Sequence, residues 1–309
     1  MQAEVYSASQ LRATRSGESA AQRMETNMPK VWFITGTSKG FGHIWAAAAL
    51  ERGDKVAATA RDTATLQDLV ERHGDAVLPI ELDVTDKAAV DAAVARAHGH
   101  FGRLDVVVNN AGYGLFGTIE EVTEEQARAQ IETNLFGALW VTKAALPYLR
   151  AQGSGHLIQV SSIGGVQAFP TLGLYHASKW GLEAFSQSLA AEVADLGIKV
   201  TIVEPTGYTT DWAGPSSVQA EHLAAYDGVR ERREQTRAAT PAGRGNPEAT
   251  GPAILELVDA AEPPLRVFFG IGPLDIIRAE YERRIATWEQ WDDLSRAAHG
   301  ASATAGSAR

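Results

Sequence analysis

Cysteine is absent from the 309 residues, which excludes disulfides, thiolate metal sites and thiol nucleophiles and fits a reducing compartment. Long apolar runs are missing too. Nothing approaches the ~20 residues that a membrane helix needs, and the opening MQAEVYSASQLRATRSGESAAQRMETN has no secretory apolar stretch. Its Arg12, Arg15 and Arg23 are balanced by Glu4, Glu18 and Glu25, so a disordered extension over 1–28 is expected rather than a transit peptide, with Met28 as an alternative start. Excess positive charge is lacking: 28 Lys and Arg face 38 Asp and Glu, for a net charge of -10. That balance disfavours nucleic acid and anionic membrane as partners. The 8 histidines show no metal-ligand spacing, so no metal is expected. The cytoplasm is the expected location.

What is present is a soluble globular composition, 45% hydrophobic and 21% charged. From Val31 the chain alternates short apolar runs with helical stretches: VWFIT, KVAATA, VLPIEL, LDVVVNN, HLIQVSS and KVTIVEP read as strands, and LRVFFGIG as a last one. Strand and helix in alternation imply parallel crossovers covered on both faces. The expected fold is α/β, a Rossmann-type doubly wound parallel sheet in a single domain over 29–298. EEQARAQIETNLFGALWVTKAALPYLRAQ reads as one helix, and LDIIRAEYERRIATWEQWDDLSRAA as another. The rhythm breaks at about 206–247, where Gly and Pro punctuate a helix-like AEHLAAYDGVRERREQTR; an insertion of this length is expected to be a substrate lid. The tail 299–309 is small and polar and is expected to be flexible.

Between the first strand and the first helix stands Thr35-Gly36-Thr37-Ser38-Lys39-Gly40-Phe41-Gly42. Glycines there permit a tight turn and close backbone approach to a pyrophosphate, and the helix N-terminus adds N–H donors and a favourable dipole. With a strand before it and a helix after it, the turn points to a dinucleotide.

The sequence at this point resembles the short-chain dehydrogenase/reductases. The resemblance rests on TG-x-x-x-G-x-G from Thr35, Asn109-Asn110-Ala111-Gly112 and Tyr175-x-x-x-Lys179, and runs from about Val31 to Asp211. It implies one domain holding cofactor and substrate together, and a homo-oligomer, dimer or tetramer. NAD-preferring relatives end the second strand with an acidic residue. Here the strand ends Ala57-Ala58-Thr59-Ala60-Arg61 with no carboxylate at Ala60. Arg61 and Lys39 can instead hold a 2'-phosphate, so NADP(H) is the expected cofactor. A solvated surface charge is the competing reading of Arg61. The resemblance also gives Asp83 and Val84 to the adenine, Asn110, Ala111 and Gly112 to close cofactor approach, and Pro205, Thr206, Gly207 and Thr210 to the nicotinamide end. Thr206 stands where the family has glycine, and its Cβ restricts positive φ.

Tyr175 and Lys179 lie one helical turn apart on one face. A carbonyl that accepts hydride needs a proton, and the phenol supplies it; an ammonium beside it is expected to lower the phenol pKa. The resemblance adds that Lys179 holds the nicotinamide ribose, that Ser162 rather than Ser161 holds the substrate oxygen, and that Asn134 positions a water for a proton relay. Tyr113, Gly164, Val166, Leu172 and Trp212 are candidate substrate walls, apolar enough to suit a hydrophobic ketone, aldehyde or alcohol. The expected activity is NADP(H)-dependent interconversion of such a carbonyl and its alcohol. The alternatives are an NAD(H)-preferring alcohol dehydrogenase and a non-catalytic dinucleotide-binding regulator.

Overall fold

The computed structural model describes residues 28–210, 212, 214, 216–239 and 244–300. The expected extension up to residue 27, the tail beyond residue 300, part of the lid and Asp211 lie outside the described residues. In chain order the elements are β1 (Val31–Thr35), α1 (Gly40–Glu51), β2 (Lys55–Ala60), α2 (Gln67–His73), β3 (Val77–Glu81), α3 (Lys87–Phe101), β4 (Val106–Asn109), β5 (Leu115–Phe116), α4 (Glu124–Ile131), α5 (Gly137–Gln152), β6 (Gly155–Val160), α6 (Gly173–Glu192) and β7 (Ile198–Pro205). They continue with β8 (Val218–Gln219), α7 (Asp227–Ala239), α8 (Thr250–Asp259), β9 (Arg266–Phe269), α9 (Pro273–Gln290) and α10 (Asp292–His299).

Seven parallel strands form one sheet in the order β3-β2-β1-β4-β6-β7-β9. Because successive side chains of a strand point to opposite faces, Val31 and Phe33 join one core with Val94 of α3 and Val141 and Leu149 of α5. Trp32 and Ile34 join the other, with Trp45 of α1, Leu69 of α2 and Ile254 of α8. Buried indoles require partners for their N–H groups: Trp32 Nε1 donates to Asp54 Oδ2 at 2.8 Å and Trp45 Nε1 to Thr250 Oγ1 at 2.8 Å. Short caps fix the helix starts. Asp86 accepts from Ala89 N ahead of α3, and Thr123 and Gln126 form a reciprocal cap on α4.

The expected single-domain doubly wound sheet is present with all seven strands. Three local features differ from the sequence reading. The helix expected to be continuous from Glu124 to Gln152 carries a π-turn over Glu132–Phe136, a widening common at functional sites. The last helix is two helices parted at Trp291. A small parallel pair, β5 with β8, was not foreseen; it ties the expected lid to the loop after β4 through Leu115↔Val218 and Phe116↔Gln219. Buried Glu121 reinforces that tie, accepting from Thr118 N at 2.8 Å and Leu223 N at 2.7 Å and pairing with Arg230.

Candidate active site

Strand order reverses between β1 and β4, so their C-terminal ends flank a crevice, where open α/β sheets bind ligands. The glycine turn fills one side. Gly36 sits at φ +69, and a Cβ there would come within 3.0 Å of Ala111 Cα. A Cβ on Gly42 would strike the Gly36 carbonyl. Gly40, at φ +61, has open space where a Cβ would stand. Exposed Lys39 leads into α1 and makes no side-chain cap, so first-turn N–H groups remain available to an anion. This open cradle fits a pyrophosphate.

The turn is held from β4. Asn110 Nδ2 donates to the carbonyls of Thr35 at 2.9 Å and Gly36 at 3.0 Å, while Thr35 Oγ1 accepts from the backbone N of Asn110 and Ala111. Asn109 turns inward to Thr142 and Gln159. Thr37 is fully buried with its hydroxyl on Thr59 O, and Phe41 stacks on Trp45 and meets the Tyr208 ring edge-on. Both side chains shape the turn from behind. Ser38 is exposed on it.

Arg61 lies exposed just after β2, and among the described residues it forms no hydrogen bond or ion pair. Asp83 is exposed after β3, one of its oxygens accepting from Thr85 N and Oγ1; Val84 is buried against Gly137. Thr206 needs no positive φ: its N donates to Phe269 O, and Gly270, at φ +116, makes room for its side chain. Gly207 and Tyr208 are then pinned to Gly245, with Thr210 just beyond.

The catalytic candidates meet at the end of β6. Tyr175 is buried in the first turn of α6, hydrogen-bonded to the Ser162 side chain. Ser162 Oγ also accepts from Gly164 N at 3.0 Å. Gly164 abuts the phenol ring, and Trp212 packs on it at 4.8 Å between centroids. Leu172 is buried in the same loop, bridged to Gly117. Lys179 Nζ lies 5.9 Å from the Tyr175 ring and donates to Val160 O at 2.7 Å. Asn134 sits in the π-turn, its amide bonded to both backbone groups of Tyr113 and to Ser178 Oγ, with Lys179 across Gly112. Val166 instead lines a separate cavity of about 550 Å³ with Glu183 and Glu204.

One expectation is corrected. The lysine was to lower the phenol pKa, yet burial pushes Tyr175 up to about 12, the Ser162 hydrogen bond acting weakly the other way. Lys179 is itself pushed down to about 8 by burial, against the pull of Glu183, and its ammonium is engaged by Val160. The phenol therefore holds its proton at neutral pH, the form a proton donor requires.

Two groups escaped the sequence reading. His176 spans the loop between Ser162 and Tyr175: Nδ1 faces Gly164 O at 2.8 Å and Nε2 accepts from Phe169 N at 2.9 Å. The same loop contains Thr171 at φ +67, a strained position for a β-branched residue. The second group is Glu183 and Glu204, both buried. A carboxyl inside the apolar strand KVTIVEP was the available signal.

The comparisons agree with this geometry. The family model described as short chain dehydrogenase matches residues 30–221. Oxidoreductase BOA17 of Botryotinia fuckeliana is 42% identical over 87% of this chain and 99% of its own length. A 3-ketodihydrosphingosine reductase of Bacteroides thetaiotaomicron is 36% identical over 80% and 89%. A short-chain dehydrogenase structure from Streptomyces avermitilis superposes with a TM-score of 0.81 at 38% identity, covering 88% of this chain and 98% of that one. Two further solved neighbours hold nicotinamide dinucleotides. One is an alcohol dehydrogenase from Thermococcus sibiricus with 5-hydroxy-NADP (26% identity, 79% of this chain and 97% of that one, TM-score 0.66); the other is a 3-ketoacyl-(acyl-carrier-protein) reductase from Brucella melitensis with NADH (27%, 79% and 98%, 0.69). With the fold, the glycine cradle and the Ser-Tyr-Lys cluster in place, the chain belongs to the short-chain dehydrogenase family, oxidoreductases that act on CH–OH and C=O groups with a nicotinamide dinucleotide.

Proposed function

We propose that the protein interconverts a hydrophobic ketone or aldehyde and its alcohol with NADP(H), Tyr175 exchanging the proton. The observation that carries the reading is the buried Tyr175 hydroxyl, hydrogen-bonded to Ser162 with Lys179 one turn behind. The dinucleotide supplies the hydride. Ser162 orients the carbonyl oxygen by hydrogen bonding, and Tyr175 O–H transfers its proton to that oxygen as the C–H bond forms. Lys179 holds positive charge beneath the phenol as it loses the proton, and Asn134 fixes the Gly112–Tyr113 backbone beside it.

Arg61, exposed just after a β2 that carries no acidic residue and without a partner among the described residues, supports NADP(H) over NAD(H), with Lys39 as a second cation in the turn. Trp212 and Gly164 about the phenol, buried Leu172 in the adjoining loop, and the lid paired with Phe116 support an apolar substrate. The keto-sphingoid relative named above acts on a substrate of that kind. Titration of the purified protein with NADPH and NADH, followed by nicotinamide absorbance with a panel of aliphatic and aromatic ketones, tests the reading. Turnover with a strong NADPH preference is expected. Equal use of NADH removes the cofactor assignment, and tight binding without turnover on any carbonyl favours a non-catalytic regulator.

A further inference from the structure

Lys179 has a second neighbour on its own helix. Glu183, one turn beyond it, is 7% exposed and meets Glu204 of β7, which is 2% exposed. The two carboxyls are hydrogen-bonded to each other, and among the described residues no donor reaches Oε1 of either. Two buried carboxylates in contact cannot both ionise, so a proton stands between them. Arg266 of β9 decides where the charge rests: its Nε donates to Glu183 Oε2 at 3.0 Å and lies 3.6 Å from Glu204 Oε1, while Nη2 donates to Gln187. Burial pushes both carboxyls up, Glu204 to about 8 with the Glu183 charge adding to it; Arg266, bonded directly to Glu183 and farther from Glu204, draws the negative charge to Glu183 and leaves the proton on Glu204. Other groups face the cluster as well. Ser161 borders Glu183 across Gly165 from the end of β6, Arg278 and Tyr281 of α9 line the adjoining cavity, and neutral Asn134 faces Lys179 from the π-turn.

We infer that Glu183, kept ionised by a proton on Glu204 and by Arg266, is a positioning residue that acts through Lys179, holding the lysine in its ammonium form and so setting the alkaline limit of turnover. Burial alone drives Lys179 down, and the nearby Glu183 carboxylate is the charge that opposes it. No other anionic side chain faces the lysine among the described residues. The inference rests on the reading of Tyr175 and Lys179 as the acid-base pair.

The test has two arms in the full-length protein. First, the lysine 13Cε resonance that vanishes in Lys179→Met is titrated without cofactor in wild type, Glu183→Gln and Glu183→Asp. The midpoint is expected to fall by about one pH unit in Glu183→Gln, and by less in Glu183→Asp, which keeps a withdrawn charge. Should Glu183→Gln fail to fold, Glu183→Asp carries the same prediction. Second, the alkaline limb of the kcat profile is expected to move by the same amount as the NMR midpoint. A fixed Lys179 midpoint in the variants overturns the inference, and so does a midpoint that moves while the kcat limb stays. Tyr175→Phe serves as the control: full activity there overturns the acid-base reading, which the cofactor-free titration does not depend on.

Discussion

Asn110 is the latch of the glycine turn, and replacing it makes the first prediction. Its amide nitrogen donates to Thr35 O and Gly36 O across the crevice. Asn110→Leu keeps the branched shape but removes both donors at a half-buried position. Each hydrogen bond contributes about 0.5–1.5 kcal/mol net, and two carbonyls are left short, so a loss of about 2–3 kcal/mol follows. For a domain of this size about 2–4 °C accompanies each kcal/mol, giving a fall of about 5–10 °C in Tm. Asn110→Asp should lose more, because a carboxylate would face two carbonyl oxygens and repel the dinucleotide phosphates. Thermal unfolding by circular dichroism measures the stability, and quenching of tryptophan fluorescence measures NADPH affinity, which should weaken together with Tm. A Tm within about 1 °C of wild type and an unchanged Kd in both variants would refute the latch.

Three other outcomes follow from the same geometry. Arg61→Ser should weaken NADPH binding about 10- to 100-fold, the loss of a charge-assisted contact, and leave NADH binding nearly unchanged; equal effects on both would remove Arg61 from phosphate recognition. Trp212→Ala uncovers the Tyr175 ring and should raise KM for hydrophobic ketones about tenfold or more, whereas an unchanged KM would take Trp212 out of the substrate wall. The last concerns pH. Glu204 has a folded pKa of about 8, above its ordinary 4.5. The folded state keeps a proton that the unfolded chain releases, so this stability is full below 4.5 and is lost as pH rises to about 8, at up to about 1.4 kcal/mol per pH unit. Urea unfolding at about pH 5.5 and pH 8 should show wild type losing stability and Glu204→Gln losing less; parallel losses would contradict the assignment.

Strands were legible because VWFIT, KVTIVEP and their like are apolar on both faces, as a sheet covered by helices requires. Tyr175 and Lys179 were legible because one helical turn separates them, and Ser162, at the end of β6, through the family resemblance. The π-turn was not, since it depends on Asn134 reaching the backbone of Tyr113, 21 residues away. Nor was the break at Trp291, which lacks a Gly or Pro to mark it, or the β5–β8 pair of two residues each. The direction of the Tyr175 pKa shift was misread from spacing alone. An i, i+4 lysine suggested an ammonium beside the phenol, but burial dominates and the Val160 carbonyl takes the ammonium. The Glu183–Glu204–Arg266 cluster joins three elements far apart in sequence, and only the folded sheet places them in contact.

The most direct test of the central claim is Tyr175→Phe, which removes one hydroxyl and leaves the ring packed against Trp212. Single-turnover consumption of NADPH with the best ketone should fall about 100-fold or more, in line with the loss of general acid catalysis, while NADPH Kd stays near that of wild type. Turnover at the wild-type rate with intact binding would contradict the account.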